Sequence, residues 1–524
     1  MNLLARIPCA MHARRAVAKS LACGVLLALP ACRIPPIRNA EAGPVLPGEY
    51  TAAANPGAAP LTASVAESSA TLGIDEFYGD PLLTGLIRQA AANNRELKIL
   101  EQEIEVARNE VLARRGAYLP LVTVVAGGGF EKSSRYTREG AVEDQLQVAP
   151  DRFFPSPLPN TNLGLDFLWR LDIWRALRNA RDAAQQRYFA AAERRNAFVT
   201  RLVADVAENY YRLMALDKRL ETLDQTIALQ QQSLDNAKAR KEAGRGTELP
   251  VQRFQAEVRK NQSEKLIATQ EVVEAENRVN VLVNRYPQAV ERASAGYFDV
   301  TIAALGVGLP SQLLRNRPDV RQAERELQAS GLDVLSARAR FYPDVTITAG
   351  LGTQAFSPRY LFMTPEALVA SFAGGVVAPL INRNAIKAEY LSANARQLEA
   401  VYNYQRVVLV AFTEVINRVS MAENYRKSLE IKRQQLESLE TSVEVATKLF
   451  QGLMVEYVEV LLAQRDLLEA RTALIEIKRQ QLTAVVNAYQ ALGGGDLLTT
   501  PARVVPAPVP VLVPLPVPVP APVR

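Results

Sequence analysis

The chain has 524 residues and a formal net charge of +6, from 61 Lys and Arg against 55 Asp and Glu. Its charged fraction of 22% and a mean hydropathy near zero fit an ordinary soluble chain. No run of 18 or more apolar residues follows the N-terminal region, so a transmembrane helix is not expected.

Cysteine and histidine are confined to the start of the chain. All three cysteines (Cys9, Cys23 and Cys32) and the one histidine, His12, lie within the first 32 residues. If that segment is a leader, the mature chain has no disulfide, no histidine general base and no Cys/His metal site. The leader also carries four of the basic residues, so little positive charge remains and nucleic acid is not expected as a partner.

Residues 1–31 have the features of a bacterial lipoprotein signal peptide. A basic region without acidic residues precedes a short apolar region, Ser20 to Ala31. It ends in Leu29-Pro30-Ala31-Cys32, which resembles a lipobox, so Cys32 is predicted to be acylated and to begin the mature protein. Pro30 departs from the residue usual there. The alternative is plain signal cleavage nearby, with Cys32 unmodified.

Residues 32–75 are rich in Pro, Ala and Gly and are interpreted as a tether. A first repeat is predicted over 76–300. In it, 79–117 has helical periodicity, Pro120 ends the helix, and a strand follows. Residues 131–160 are interpreted as a long exposed loop. A second strand follows, in which apolar and polar side chains alternate as in an amphipathic barrel strand. Its apolar face is Leu163, Leu165, Phe167, Trp169 and Leu171.

A very long helix is predicted next, because no proline occurs from about Asp172 to Ala243 and apolar residues recur every three or four positions. At 1.5 Å per residue it would run about 100 Å. Residues 243–247, Ala-Gly-Arg-Gly-Thr, interrupt it, and a second helix returns over 248–285. A short connection makes antiparallel neighbours, so the two are predicted to form a coiled-coil hairpin.

The same plan is predicted again over 301–495. Pro318 opens a helix, strands follow at about 345–352 and 368–378, and Pro379 ends the second. A long helix is predicted over 384–451, a turn at Gly452-Leu453, and a last helix up to Leu492. Residues 496–524 are rich in Pro and Val and are predicted to be extended or disordered.

Two segments show that the plan is duplicated. Residues 113–130 read ARRGAYLPLVTVVAGGGF and residues 337–356 read ARARFYPDVTITAGLGTQAF. Each runs from a basic helical stretch through an aromatic residue and a proline into a glycine-rich strand. With Pro120 and Pro343 as matched points, the chain is predicted to hold two copies of one unit.

No catalytic or cofactor motif is present in the sequence. It lacks a G-x-x-x-x-G-K-[ST] phosphate loop and a G-x-S-x-G elbow. The chain is therefore predicted not to be an enzyme and to need neither metal nor cofactor.

The duplicated order of helix, strand, loop, strand and long hairpin resembles the outer-membrane efflux protein family, which includes TolC. The resemblance covers about 75–495 and is closest to the lipoprotein branch that serves resistance–nodulation–division (RND) pumps. Its most specific motifs are Arg317-Pro-Asp-Val320, the two aromatic–proline junctions, Trp169-Arg-Leu-Asp172, Ala378-Pro-Leu-Ile381, Glu459-Val-Leu461 and Ala491-Leu-Gly-Gly-Gly495.

The resemblance implies a mainly α fold with a membrane β-barrel part. Each protomer of a homotrimer would give four strands to a shared 12-stranded barrel that continues into an α-helical tunnel. The implied function is a passive exit duct, anchored in the outer membrane by lipid and extending into the periplasm. It would receive substrates from an inner-membrane RND transporter through a periplasmic adaptor protein.

The resemblance also implies a gate and a docking site at the hairpin turns. Glu459 matches a ring of carboxylates in the family. Leu462 stands where a second acid is common, and Glu456 lies nearby. The adaptor-docking turns are Gly244, Gly246 and Thr247, then Gly452 and Leu453, where the glycine comes one place early. The alternatives are a solvated coiled-coil face for the two acids and ordinary helix C-caps for the glycines.

Pro120, Pro343 and Pro379 are interpreted as helix–strand junctions. Trp169 and Trp174 fit either an aromatic belt at the membrane interface or packing at these junctions. Three other functions remain open: the outlet of a type I secretion system, a periplasmic adaptor, and a structural coiled-coil lipoprotein. Two hairpins with barrel strands argue against the adaptor, and the amphipathic strands argue against the structural lipoprotein.

Overall fold

The structure is a computed structural model that describes residues 34–47, 50, 68–303, 305–379, 381–452 and 454–495. The predicted signal peptide (1–31) and tail (496–524), with Cys32 and Leu453, lie outside the described residues. The α-helices are α1 (Ile74–Tyr78), α2 (Pro81–Asn93), α3 (Arg95–Gly116), α4 (Arg138–Glu143), α5 (Ala176–Glu242), α6 (Glu248–Val283), α7 (Pro310–Asn316), α8 (Pro318–Ala339), α9 (Asn384–Gln451) and α10 (Tyr457–Ala491). The strands are β1 (Leu121–Glu131), β2 (Gln147–Ala149), β3 (Arg152–Phe153), β4 (Leu158–Leu171), β5 (Asp344–Ala355) and β6 (Leu368–Val377).

The chain divides into two compact units. The first unit takes the described residues of Met1–Ser69, Asn93–Phe198 and Leu305–Glu430, and the second those of Ala70–Ala92, Val199–Ala304 and Ile431–Arg524. Each unit draws on both halves of the sequence. The helices α5, of 67 residues, and α9, of 68, contribute to both units.

The first unit contains an antiparallel four-stranded sheet in the order β1-β4-β5-β6. Leu121 pairs with Leu168, Thr161 with Ala355 and Asp344 with Val377. The strands of the two sequence copies therefore meet in the middle of the sheet, at β4 and β5. Many large apolar side chains on these strands are exposed, including Val124 at 73% and Phe372 at 79%.

Two glycines face each other where β4 and β5 approach closely. Gly164 pairs with Gly352, and a Cβ on Gly352 would lie 2.5 Å from the carbonyl oxygen of Leu163. No side chain fits there without moving the backbone, so the sequence needs glycine at this point of the sheet.

The second unit contains the hairpin of α5 and α6. Its seam buries apolar residues of both helices, among them Leu223, Leu234, Ala275 and Val279. The seam also holds a polar pair: the amide of Asn261 donates to the amide oxygen of Gln230 at 2.8 Å. Because both side chains are at most 2% exposed, this bond favours one register of the hairpin over its neighbours.

Two segments differ from the elements predicted for them. The single helix predicted over 79–117 is two helices, because the Asn94 side chain accepts from the Leu97 N–H at 3.2 Å and so caps a new helix, α3. The loop predicted over 131–160 contains α4 and the small β2–β3 hairpin. Thr137 caps α4 by accepting from the Gly140 N–H. The predicted limits of α9 agree with the structure, whereas α7 was not predicted.

The crowding at Gly352 gives a prediction about the sheet. Gly352→Ala is expected to destabilise it by about 1–3 kcal/mol, because the added methyl overlaps backbone. The control is Gly374→Ala on β6, where an added Cβ has no atom within 4 Å, so its stability should be unchanged or slightly raised. Thermal unfolding of both variants in detergent, followed by circular dichroism, checks this; equal midpoints would contradict it.

Candidate functional site

The first hairpin turn closes with a left-handed glycine. Gly244 has φ of 70°. Its N–H donates to the Lys241 carbonyl at 3.0 Å, and the Arg245 N–H donates to the Arg240 carbonyl at 2.9 Å. These two bonds form a Schellman motif, which satisfies carbonyls at the end of α5 and favours glycine at this position.

The other predicted residues of this turn lead into α6. Thr247 is the N-cap of α6 without a side-chain cap hydrogen bond. A Cβ on Gly246 would lie 3.4 Å from the Arg240 Cβ. Glu248 accepts from Gln252 at 2.6 Å and pairs with Lys241. These hydrogen bonds lower the pKa of Glu248. The turn is thus compact, exposed and closed by local contacts.

The second turn follows directly on the end of α9 at Gln451. The Gly452 N–H donates to the Lys448 carbonyl at 3.0 Å, and the Met454 N–H donates to the Leu449 carbonyl at 2.9 Å. Gly452 is exposed, and its φ is outside the left-handed region. The Met454 bond spans five residues, as the Arg245 bond of the first turn does. The two turns differ in that Gly244 has a positive φ and Gly452 does not.

The predicted gate residues lie on the first turns of α10. Glu456 is its N-cap, and its carbonyl accepts from the Glu459 N–H at 3.3 Å. Both acids are exposed, and Leu462 is 45% exposed. Residues three apart lie on one helix face, so Glu459 and Leu462 share an exposed face of α10.

The opposite face of α10 packs on the first hairpin. Tyr457 and Leu461 pack against a buried cluster from α5 and α6. Its members are Leu234, Ala237, Val251 and Phe254. The rings of Phe254 and Tyr457 lie 6.5 Å apart between centroids. This packing fixes which face of α10 remains outside.

Arg240, beside the first turn, contacts the end of α9 beside the second turn, and it was not predicted from the sequence. Its guanidinium lies 4.0 Å from the centroid of the Phe450 ring. It also donates to the carbonyl oxygens of Phe450 and Gln451 at the end of α9. A positive charge is favourable at a helix C-terminus. Arginine can donate hydrogen bonds to the carbonyls there and at the same time stack on an aromatic ring. A lone arginine in the last turn of α5 carries no sequence signal for this contact.

A buried polar bond also links the hairpins. The Gln464 side chain donates to the Ser233 hydroxyl at 3.0 Å, and both residues are buried. Gln230, which bonds to Asn261, lies in the same seam. An amide and a hydroxyl that are 231 positions apart give no periodic signal that connects them.

At the other predicted site, two tryptophans hold the matched proline junctions. Pro120 lies between α3 and β1, and Pro343 between α8 and β5. The Trp169 indole N–H donates to the Tyr118 carbonyl at 3.2 Å. The Trp174 indole N–H donates to the Pro343 carbonyl at 2.9 Å. Both tryptophans therefore pack at the junctions, one of the two interpretations left open.

Asp172 stabilises the connection from β4 to α5. Its side chain is 3% exposed and accepts from the N–H groups of Leu177 and Arg178 at 3.0 and 2.8 Å. A carboxylate in this place satisfies the free donors at the start of α5. Pro379 lies between β6 and α9, in the corresponding place of the second copy.

In the described part of the chain, no His, Cys, Asp and Glu side chains form a group of three that could hold a metal ion. None of the described helices has the length and apolar character to cross a membrane.

The Arg240 contacts give a prediction about the turns. Arg240→Ala is expected to destabilise the end of α9 by about 2 kcal/mol, since it removes charge-assisted hydrogen bonds and a cation–π contact. Amide hydrogen exchange at 449–457 should become roughly 30-fold faster. The control is Arg259→Ala on an exposed face of α6. Unchanged exchange in the Arg240 variant would show that the link does not hold the turns together.

The comparisons with known proteins agree with this geometry. A family model of outer membrane efflux proteins matches residues 86–285 and 309–494. The chain is 26% identical over 471 residues to the cation efflux system protein CusC of Escherichia coli O6:H1, covering 90% of this chain and 97% of CusC. It is 27% identical over 427 residues to the solvent efflux pump outer membrane protein SrpC of Pseudomonas putida, covering 80% and 87%.

A solved structure of CusC superposes with a TM-score of 0.74 at 24% identity, covering 88% of this chain and 99% of that one. The likeness confirms the predicted fold class, in which long helical hairpins are combined with barrel strands. The family model spans most of both sequence copies. The chain belongs to the outer membrane efflux protein family.

Proposed function

We propose that the chain is the passive outer-membrane exit duct of a tripartite efflux pump. Its relatives confirm the broader prediction of an outer-membrane efflux protein. The observation that carries the proposal is the sheet: four strands with exposed apolar side chains, continuous in sequence with two very long helices. A structural coiled-coil lipoprotein would not need these strands.

Three copies are proposed to complete the barrel. Four strands are too few, because about eight form the smallest membrane barrels. An open sheet edge is also unfavourable in lipid, where backbone groups find no water. Three protomers that join β1 of one to β6 of the next would give 12 strands and leave no edge. This homotrimer is supported by the four-stranded sheet and by family membership.

The exposed face of α10 is proposed as the gate. In a trimer, Glu459 would form an acidic ring and Leu462, one turn on, an apolar constriction. The acids would favour cations in the narrowed pore. Glu456 is proposed as a minor contributor from the helix N-cap.

The two turns are proposed as the docking site of a periplasmic adaptor. Gly244, Gly246 and Thr247 would present the compact first turn, and Gly452 and Leu453 the second. Arg240 ties these turns together, so an adaptor that moved one would move the other. We further propose that the chain catalyses no reaction and that an inner-membrane RND transporter selects the substrate and supplies the energy.

The cargo is not assigned. CusC is named for cation efflux and SrpC for solvent efflux, so relatives with the same plan serve chemically different substrates. Cargo selection by the transporter accounts for this difference. The two sequence repeats, 76–300 and 301–495, are then proposed to be structural copies rather than two substrate sites.

The gate proposal predicts an ion-selectivity change. In planar bilayers the wild-type protein is expected to form ion channels, and Glu459→Ala is expected to lower the cation-to-anion permeability ratio, because a ring of negative charge is lost. Glu274→Ala, an exposed acid on α6, is the matched control. If wild type and both variants never conduct, the duct is wrong; if Glu459→Ala conducts with unchanged selectivity, only the gate assignment is wrong.

The anchor proposal is tested separately. Cells given a palmitate analogue are expected to label the wild-type protein and not Cys32→Ala, since Cys32 is the proposed acylation site after removal of residues 1–31. Equal labelling of both proteins would contradict this assignment. Absence of label on both would favour plain signal cleavage.

A further inference from the structure

Positive charge is concentrated at the helix–strand junctions. We call four segments, 114–120, 170–182, 338–344 and 379–387, the junction collar. They contain ten Lys and Arg residues against three Asp and Glu, an excess larger than the formal net charge of +6 of the whole chain. The basic residues are Arg114, Arg115, Arg170, Arg175, Arg178, Arg181, Arg338, Arg340, Arg383 and Lys387. The rest of the chain is therefore slightly acidic.

The collar repeats the same exposed arginine in both sequence copies. Arg115 lies five residues before Pro120, and Arg338 lies five residues before Pro343. Both are exposed, and among the described residues no salt bridge involves either guanidinium. In contrast, Arg114 pairs with Glu110 and Arg340 with Glu389, each at 2.7 Å. Arg115 and Arg338 thus present charge that no salt bridge within the described residues neutralises.

Apolar and aromatic side chains lie among these cations. Ile173, Trp174 and Tyr342 are exposed, and Ile381 is 90% exposed. A cavity of about 470 Å³ opens here, with Arg170, Arg340 and Trp174 in its lining. Mixed aromatic, apolar and basic side chains are typical of the zone where a membrane meets water.

The described residues that follow the proposed lipid anchor in sequence contact the junction collar and α9. Ile34 packs against a cluster formed by the end of α8 and the start of α9, which includes Phe341 and Tyr390. The next residues are held on α9, where Asn394 accepts from the Arg38 N–H at 2.9 Å and donates to its carbonyl at 3.2 Å. Cys32 precedes Ile34 by two residues, a reach of about 7 Å at most.

We propose that the junction collar binds the anionic headgroups of phospholipids in the periplasmic leaflet of the outer membrane. Arg115 and Arg338 contact headgroup phosphates, and the exposed Ile173 and Ile381 lie toward the upper acyl chains. Arginine suits this role because its guanidinium forms paired hydrogen bonds to phosphate. The inference rests on the proposed function, since the strands must lie in the membrane, but it adds a lipid-binding role that the duct does not require.

The basic residues of the collar and the anionic headgroups attract each other because their charges are opposite. Each Lys or Arg near an anionic membrane surface strengthens its binding about five-fold, and the effect falls off within a Debye length. Removal of Arg115 and Arg338 together should thus weaken binding of anionic lipid roughly 30-fold. Because both residues are exposed and neither has a salt bridge in the described part of the chain, the change should leave the fold intact.

The test uses the full-length protein in lipid nanodiscs. Native mass spectrometry counts phosphatidylglycerol or cardiolipin retained on the protein from mixtures with phosphatidylethanolamine. The double variant Arg115→Gln/Arg338→Gln should retain far less anionic lipid than wild type, and 0.5 M salt should abolish the difference. Arg115→Lys/Arg338→Lys should keep most of the binding. The matched control is Arg253→Gln/Arg259→Gln, two exposed arginines on α6.

The outcomes separate this proposal from the duct. The collar is not a lipid site if wild type and the Gln variant retain equal amounts of anionic lipid, or if the α6 control loses as much lipid as the Gln variant. Burial of the collar against a second copy of the chain would also overturn the proposal. Bilayer conductance of the same samples reports on the duct itself. If the Gln variant conducts but retains less anionic lipid, both proposals are supported. If circular dichroism shows that the Gln variant is unfolded, retention of lipid by the Lys variant still supports the requirement for positive charge.

Discussion

Backbone hydrogen bonding at the edges of the four-stranded sheet constrains the rest of this protein. In the described residues the sheet ends at β1 and β6, and its apolar side chains are exposed. Water can satisfy an open edge, but lipid cannot. A chain of this kind is expected to find partners for both edges by association with its own copies. Two copies would give eight strands and three would give 12, both within the range of membrane barrels, and the proposed trimer rests on family membership as well as on the open edges.

The junctions let one chain pass between two kinds of secondary structure twice. Each passage has its own fixed contacts: Trp169 and Trp174 bond to carbonyls beside the matched prolines, and Asp172 caps the helix that leaves the sheet. The basic collar surrounds the same places. The contacts that fix the backbone and the basic residues of the proposed lipid site therefore lie in the same short segments.

Much of the fold follows from local patterns. Proline positions, two-residue alternation and uninterrupted helical periodicity were enough to locate β5, β6 and the limits of α9. The break at Asn94 was missed because its capping side chain interrupts the helix without changing the apolar period. The turn glycines were found, yet only the structure shows that Gly244 is left-handed and Gly452 is not. Arg240 and the Ser233–Gln464 pair depend on contacts between residues far apart in sequence, which no periodicity encodes.

The central claim is that β1 of one protomer pairs with β6 of another. The native cysteines all lie in the first 32 residues, so removal of the proposed signal peptide and acylation of Cys32 leave a cysteine on β1 and another on β6 as the free thiols that report on this pairing. Bismaleimide treatment of the protein in outer membranes is predicted to produce a covalent trimer with both cysteines, and at most dimers with either one. Monomers alone, with both cysteines accessible to a maleimide dye, would contradict the account.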